Sequence, residues 1–417
     1  MNGDRANARV VVCGAGAVGL AAAISAARQQ VPVTLIDVAA GPGGTVTGTL
    51  IHTLGGIYDE RQELINPGIV PELVERLTLA SSLTRPRKIG KTWCLNVDPE
   101  VYRRVVADWL CEEPLIHTAW QARVARVGAS GKLVHAVEVH GPHGKEWLSA
   151  GAIIDTTGTA EVVRLINPSL VHDDEQRAAG GLIFRLCGVR AGAVAFPKGI
   201  ALVQRVRAAA KSGQLPPLCE HAWIDQGVRD DEVYVKLFVP LAGDWRQSQR
   251  RVKIVQSAVQ LQEQLVHFVR QLPDFSQAEL AETGSLGIRD GGRIQGDYTL
   301  TEDDVRSGRR FSDAACRCCW PIEYWHPDRG LELEYLPSGT CYEIPLRALK
   351  LRGLMNVWAA GKCLSADHRA QASARVVGQC WAMGQAVGRA VADYLANDAG
   401  CTNASRSAAD SHALRPA

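Results

Sequence analysis

The chain has 417 residues, 46% hydrophobic and 22% charged, and its 46 Lys and Arg stand against 44 Asp and Glu for a net charge of +2. So even a balance argues against a nucleic-acid or membrane-surface partner, and no apolar stretch approaches the ~20 residues of a membrane-spanning helix. Met1 to Arg9 is polar and lacks the apolar core of a secretory leader. The expectation is therefore a cytoplasmic chain of two or three units of roughly 150 residues, with its 12 cysteines mostly reduced.

The first apolar run, Val10 to Cys13, leads into Gly14-Ala15-Gly16-Ala17-Val18-Gly19 and then an alanine-rich stretch, Leu20 to Arg28. A Gly-x-Gly-x-x-Gly between a strand and a helix is the fingerprint of a dinucleotide-binding turn. Gly14 permits the tight turn, Gly16 lets the backbone approach a pyrophosphate, and Gly19 brings helix and sheet together. The free N–H groups of the helix start then face the phosphates. A second run, Val31 to Ile36, ends in Asp37, about 20 residues on, where an acid for the ribose hydroxyls is expected.

Residues 38–60 form a Gly- and Thr-rich loop, Gly41-Pro42-Gly43-Gly44-Thr45, suited to close passage of backbone past a ligand. Residues 67–80 read as a helix. Asp98-Pro99-Glu100 is a helix start, followed by a helix from Val101 to Cys111. From Leu115 to Ile154 the pattern alternates between turns at Gly128–Gly131 and Gly141–Gly144, which predicts a three- or four-stranded antiparallel insert and then a buried strand, Ala152 to Asp155. The middle, 166–344, is richer in Trp and Tyr and carries a long amphipathic helix at about 247–271, with Val252, Ile254, Val255, Leu265 and Phe268 at helical spacing. A small-residue helix, Gly378 to Leu395, is expected beside the first helix, and 398–417 reads as a polar disordered tail. Cys316-Arg317-Cys318-Cys319 contains a Cys-x-x-Cys, but no second close pair completes four ligands. It is read as small buried residues in a strand leading to Trp320, and no metal is expected.

Four separated segments carry a resemblance. They are the fingerprint with Gly43-Gly44-Thr45; Ile153-Ile154-Asp155-Thr156-Thr157-Gly158-Thr159-Ala160; Leu286 to Thr301, with Arg289 and Arg293; and Tyr342 to Leu349, continuing through Ala359-Ala360-Gly361-Lys362 to Arg375 and Gly388. In these the chain resembles the stand-alone FAD-dependent oxidoreductases of the glutathione-reductase-like superfamily, distantly related to the fumarate reductase flavoprotein subunit. Thr159 stands where that family usually has Asp, and Asp290-Gly291-Gly292 where it usually has Glu-Ser-Arg.

The resemblance implies an α/β fold: a Rossmann-like FAD-binding domain with an antiparallel β insert, plus an inserted α+β substrate domain. The FAD-binding domain would comprise 1–60, 98–165 and 345–397, with a substrate-domain excursion at 61–97 and the substrate domain at 166–344. FAD would be held by Gly14, Ala15, Gly16, Ala17, Gly19, Asp37 and Val38, by Gly43, Gly44 and Thr45, by Val124, Thr157 and Gly158, and by Gly361, Lys362, Arg375 and Val376. No second fingerprint provides for a separate pyridine nucleotide.

A flavin takes a hydride at N5 from a small organic substrate, often while a base removes a proton. His368, His52 and Tyr58 lie in loops expected near the ring and are the candidate catalytic residues, with a covalent flavin link at His52 left open. Arg289 and Arg293 suit a carboxylate clamp or a structural ion pair, and Tyr342, Trp320 and Trp325 suit an apolar pocket wall or the core. The leading reading is an oxidase or dehydrogenase. A monooxygenase usually carries Gly-Asp where this chain has Gly361-Lys362. A double-bond reductase and the flavin subunit of an electron-transfer complex are the remaining alternatives.

Overall fold

The computed structural model describes residues 9–173, 177–241 and 243–412, with backbone alone for 398–412. Its centre is a five-stranded parallel sheet in the order Val357–Ala359, Ala152–Asp155, Val10–Cys13, Val33–Asp37, Ile116–Trp120. The inner strands are apolar without alternation and buried along their length, because helices and the antiparallel layer cover both faces. The fold is thus mixed α/β on a Rossmann-like sheet.

The helix Ala17–Arg28 follows the first strand, and the helix Val377–His412 lies against it. Small residues set their spacing: a Cβ at Gly384 would sit 2.3 Å from the Val18 carbonyl oxygen, and one at Gly388 2.5 Å from that of Ala22. Large residues complete the layer. Trp109 of the helix Pro99–Cys111 stacks on Trp381 at 5.4 Å, and the Trp381 indole N–H donates to the Tyr102 hydroxyl. Asp98 caps Pro99–Cys111 by accepting from the Glu100 N–H, as its position before Pro99 predicts.

The antiparallel insert is three-stranded: Arg123–Ser130, Leu133–Gly141 and Gly144–Ser149. Ile116–Trp120, expected among these strands, pairs in parallel with Val33–Asp37 instead. Alternation shows that a segment is extended and leaves its partner unspecified.

A separate hydrophobic core lies in the middle of the chain. It is built on a four-stranded sheet ordered Trp223–Gln226, Val233–Val239, Gly180–Cys187, Glu279–Thr283 and on the helices Lys198–Lys211 and Ser248–Val269. Leu265 and Phe268 point into it, whereas Val252, on the predicted apolar stripe, is 54% exposed. A further sheet joins Thr53–Leu54, Thr92–Asn96 and Arg85–Ile89. It docks on the middle unit through Arg87 and Asn96, which donate to the carbonyls of Gln226 and Gly227. The tail expected at 398–417 falls on residues whose side chains, and from 413 onward whose backbone, lie outside the description. Among the described residues, no helix is long and apolar enough to cross a membrane.

Candidate functional site

Four parallel strands end side by side, and the turn after each is one of the segments singled out in the sequence. Gly14 follows Cys13, Val38 follows Asp37, Thr156-Thr157-Gly158 follow Asp155, and Ala360-Gly361 follow Ala359. The carboxyl ends of the strands are where α/β sheets place ligands. The turns are sewn together by backbone: Gly14 N–H donates to the Ile36 carbonyl, Thr156 N–H to that of Cys13, Ala360 N–H to that of Asp155, and Gly43 N–H to that of Ala15. Asp37 accepts from the N–H groups of Ala15 and Ala39. Beside it Val38 is 72% exposed, and Val124 is half-buried on the neighbouring insert, packed against the core. Ala17 opens the helix and Thr45 opens a single helical turn, Thr45–Gly48.

The glycines separate into two kinds. A Cβ at Gly19 would lie 1.7 Å from the Gly14 carbonyl oxygen, and one at Gly44, where φ is +52°, 2.6 Å from the Gly16 Cα. Internal packing accounts for those two. At Gly16 the backbone is extended, and a Cβ would meet only the Gly44 Cα at 3.8 Å. Nothing in the protein requires glycine there. The cradle between Gly16 and Gly44, at the start of a 12-residue helix, suits a pyrophosphate approaching the backbone. These residues fit the nucleotide half of FAD.

Asp155 holds the third turn. Its buried carboxylate accepts from the Thr157 N–H and hydroxyl and from the N–H groups of Val162 and Val163. Burial raises its pKa above the ordinary carboxylate value, and these four bonds oppose the rise. Asp155→Ala leaves buried donors unpaired and is expected to cost about 3 kcal/mol, read as a lower thermal midpoint of the FAD-loaded protein.

Beyond Gly361 three cations converge. Lys362 Nζ donates to the Ile288 carbonyl and packs beside Gly158. Arg289 donates to the carbonyls of Ala179 and Gly180 and lies 4.1 Å above the Trp325 ring. Arg375 donates to the Glu323 carbonyl, while its Nε is buried without a partner. Gln371 ties the group together, donating to the carbonyls of both Arg289 and Lys362. Each cation keeps some accessible surface yet sits deep among protein atoms. Burial lowers all three pKa values, that of Arg289 to about 9; repulsion from Arg375 adds to the effect at Arg289, and repulsion from both arginines adds to it at Lys362. Glu323 faces Arg289 and Arg375, but its oxygens accept from the indoles of Trp320 and Trp325. Val376 links Arg375 to the final helix, its carbonyl accepting from the Cys380 N–H.

The other predicted residues are distributed differently from expectation. His368 finds its acid in Asp290 rather than in the adjacent Asp367, which caps the helix His368–Ala374. Arg293 Nη2 lies 3.2 Å from His368 Nε2. Because Arg only donates, Nε2 is the acceptor and Nδ1–H donates to Asp290 Oδ2 at 2.8 Å. Burial pushes the Asp290 pKa up, but His368 and Arg293 together hold it below the usual value. Asp290 thus pairs with both Arg293 and His368. Arg293, only 4% exposed, is committed to this cluster and Arg289 to the carbonyls, so the two do not form one clamp.

His52, expected as an acid, base or flavin attachment point, is fully enclosed. Its ring stacks 3.8 Å from that of Tyr234, and Nε2–H donates to the Gln226 carbonyl. Burial, with Lys236 nearby, lowers its pKa to about 3. Stability is then lost as pH falls below ~6.5, because only the unfolded chain takes up this proton. From pH 7 to pH 5 this group is expected to remove about 2 kcal/mol, and His52→Gln should flatten that part of a pH series of thermal midpoints.

Tyr58 is buried, which raises its phenol pKa. Tyr342 is fully buried with its hydroxyl donating to Ser373, so it belongs to the core rather than to a pocket wall. Trp320 presses its ring on Gly55, where a Cβ would be 2.6 Å away. Sequence reasoning missed Glu323, Gln371 and the Asp290 partnership, for which the chain gives no local signal.

No curated protein matches this chain in sequence. Among solved structures it is similar to a geranylgeranyl bacteriochlorophyll reductase-like protein from Thermoplasma acidophilum, with TM-score 0.50 and 10% identity over 94% of this chain and 80% of that one, a likeness of fold. A flavoprotein/dehydrogenase from Cytophaga hutchinsonii gives TM-score 0.48 at 11% identity, covering 93% of this chain and 79% of that one. A p-nitrophenol 4-monooxygenase from Pseudomonas putida gives 0.38 at 14%, covering 70% of each. The model of the family described as FAD dependent oxidoreductase matches residues 9–405, nearly the whole chain. With the glycine cradle and the four strand-end turns, this makes the chain a member of the FAD-dependent oxidoreductase family, an enzyme whose cofactor is FAD.

Proposed function

We propose that the enzyme is an oxidase or dehydrogenase that takes a hydride from a small organic substrate, and that Arg289, Lys362 and Arg375 form the positive wall of its redox centre. FAD, when bound, supplies the two-electron acceptor, taking the hydride at N5 and gaining negative charge. The observation that carries the reading is the excess of buried positive charge. Three cations converge where, of the facing carboxylates, Glu323 is shared with two indoles and Asp290 is held by His368 and Arg293. Uncompensated buried charge is costly, and such a wall is suited to stabilise negative charge that develops beside it.

The remaining residues divide by what they touch. Gly14 to Ala17, Gly43 to Thr45 and Thr157-Gly158 hold the nucleotide, and Asp37 accepts from its ribose hydroxyls. His368 acts as a positioning residue. Protonating Nε2 requires Arg293 to move away, so His368 serves as a base only with that displacement. His52 is assigned to packing rather than to a covalent link.

The middle unit, 166–344, is the substrate domain, with 61–97 as its excursion and the FAD-binding parts at 1–60, 98–165 and 345–397. This division rests on the separate middle core and the docking of Arg87 and Asn96 on it. It accords with the glutathione-reductase-like superfamily and a distant relation to the fumarate reductase flavoprotein subunit, and with a cytoplasmic enzyme acting without membrane or nucleic-acid partners.

The test is spectroscopic. The purified protein should show the flavin bands and release all colour on acid denaturation. Candidate donors added without oxygen should bleach the bands, and air should restore them with no lingering intermediate absorbance. A long-lived oxygen-dependent species would overturn the oxidase or dehydrogenase reading in favour of a monooxygenase. Colour retained on the denatured chain would overturn the packing role of His52.

A further inference from the structure

The Cys-x-x-Cys of the sequence does not form a pair. Cys316 and Cys318 lie on the buried face of the strand Ala314–Cys318, whereas Arg317 and Cys319 belong to the outer face. The strand runs antiparallel to Tyr342–Pro345, with Cys318 opposite Tyr342 and Arg317 opposite Glu343. The next step of that register sets Cys319 opposite Cys341. Both are partly exposed, free, and hydrogen-bonded to each other through their thiols.

The position in the ladder matters. The Arg317 N–H and carbonyl bond to the Asn66 side chain, and the Glu343 N–H bonds to the Arg309 carbonyl. Arg317 and Glu343 are therefore a non-hydrogen-bonded pair, and two residues of alternation make the pair 319/341 the same kind. Such pairs bring Cα atoms to ~4.5 Å, inside the ~4.4–6.8 Å range that a disulfide accepts.

We propose that Cys319 and Cys341 form a reactive cross-strand dithiol, oxidised to a disulfide by exchange with small-molecule disulfides. The Cys341 thiolate attacks one sulfur of the small disulfide, breaking its S–S bond and expelling one thiolate, which takes a proton from solvent. Cys319 then loses its proton and attacks Cys341 Sγ, releasing the second small thiol. One disulfide is reduced to two thiols as two protein thiols become one disulfide.

The surroundings divide the labour. The hydrogen bond from Cys319, with Arg317 and Arg310, lowers the Cys341 thiol to about 6, while burial and Asp59 oppose the shift. Glu343, opposite Arg317, is paired to Arg310. Cys319 is raised by the same hydrogen bond and by burial. Cys341 is thus the attacking thiol and Cys319 the resolving one. The new bond would lie one residue from Trp320, whose carbonyl accepts from Ser373.

The experiment treats the FAD-loaded, reduced protein with oxidised glutathione at neutral pH, alkylates remaining thiols, and maps peptides by mass spectrometry. The expected product is a cross-link between Cys319 and Cys341. Without oxidant, Cys341 should alkylate roughly tenfold faster than the exposed Cys111. In Cys319→Ser a glutathione adduct should persist on Cys341, and in Cys341→Ser neither cross-link nor adduct at Cys319 should form. Full alkylation of both thiols after the oxidant, or a cross-link from either to another cysteine, would overturn the proposal.

Discussion

Gly16→Ala is expected to yield a folded protein that loses FAD on gel filtration. The backbone at Gly16 is extended and its Cβ position meets protein only at 3.8 Å, so the added methyl costs the fold little. It projects into the cradle opposite Gly44, the proposed pyrophosphate site. A loss of about 100-fold in FAD affinity, roughly 2.7 kcal/mol, is expected. It should be measured by fluorescence titration of the protein stripped of flavin. The companion Gly19→Ala behaves oppositely. Its Cβ would fall 1.7 Å from the Gly14 carbonyl oxygen, so the strand–helix turn must open and the protein should melt earlier or fail to fold. If Gly16→Ala binds FAD as the parent does, the cradle is not the pyrophosphate site. Equal melting losses in the two variants would remove the distinction between packing and ligand glycines.

Lys362→Met is expected to make the flavin harder to reduce. The substitution keeps the length and apolar stem of the side chain and removes one buried positive charge. A charge at partly buried range is worth on the order of 1–2 kcal/mol, which for a two-electron couple is a fall of ~20–40 mV in midpoint potential. Reductive titration against a dye of known potential reads this directly, whatever the substrate. Arg289→Met should act in the same direction with an added cost in stability, because Arg289 also joins Ala179, Gly180 and Trp325. An unchanged potential in Lys362→Met would mean that the positive wall serves packing alone, and the proposed role of all three cations would fall with it.

Much of the nucleotide half was legible in the sequence. Its elements are local: an apolar strand, a glycine turn and a small-residue helix follow one another within 20 residues, and steric rules fix what each can do. The same holds for Asp98 at the start of Pro99–Cys111 and for the strand Ala152–Asp155. The tertiary structure decided the partners. Alternation marked Ile116–Trp120 as a strand but did not assign it to the parallel sheet. His368 has an acid beside it in sequence, yet the helix start claims Asp367 and brings Asp290 to the ring from 78 residues away. His52 reads as a loop residue near a ligand until Tyr234 and Gln226 close over it. Cys319 has two cysteines close by in the chain, and its thiol partner is Cys341 on the opposing strand. Local conformation follows from short-range sterics and periodicity, which the chain carries in every window of ten residues. Ion pairs, buried rings and facing thiols depend on which segments the sheet register and the two cores bring together, and that is a property of the folded whole.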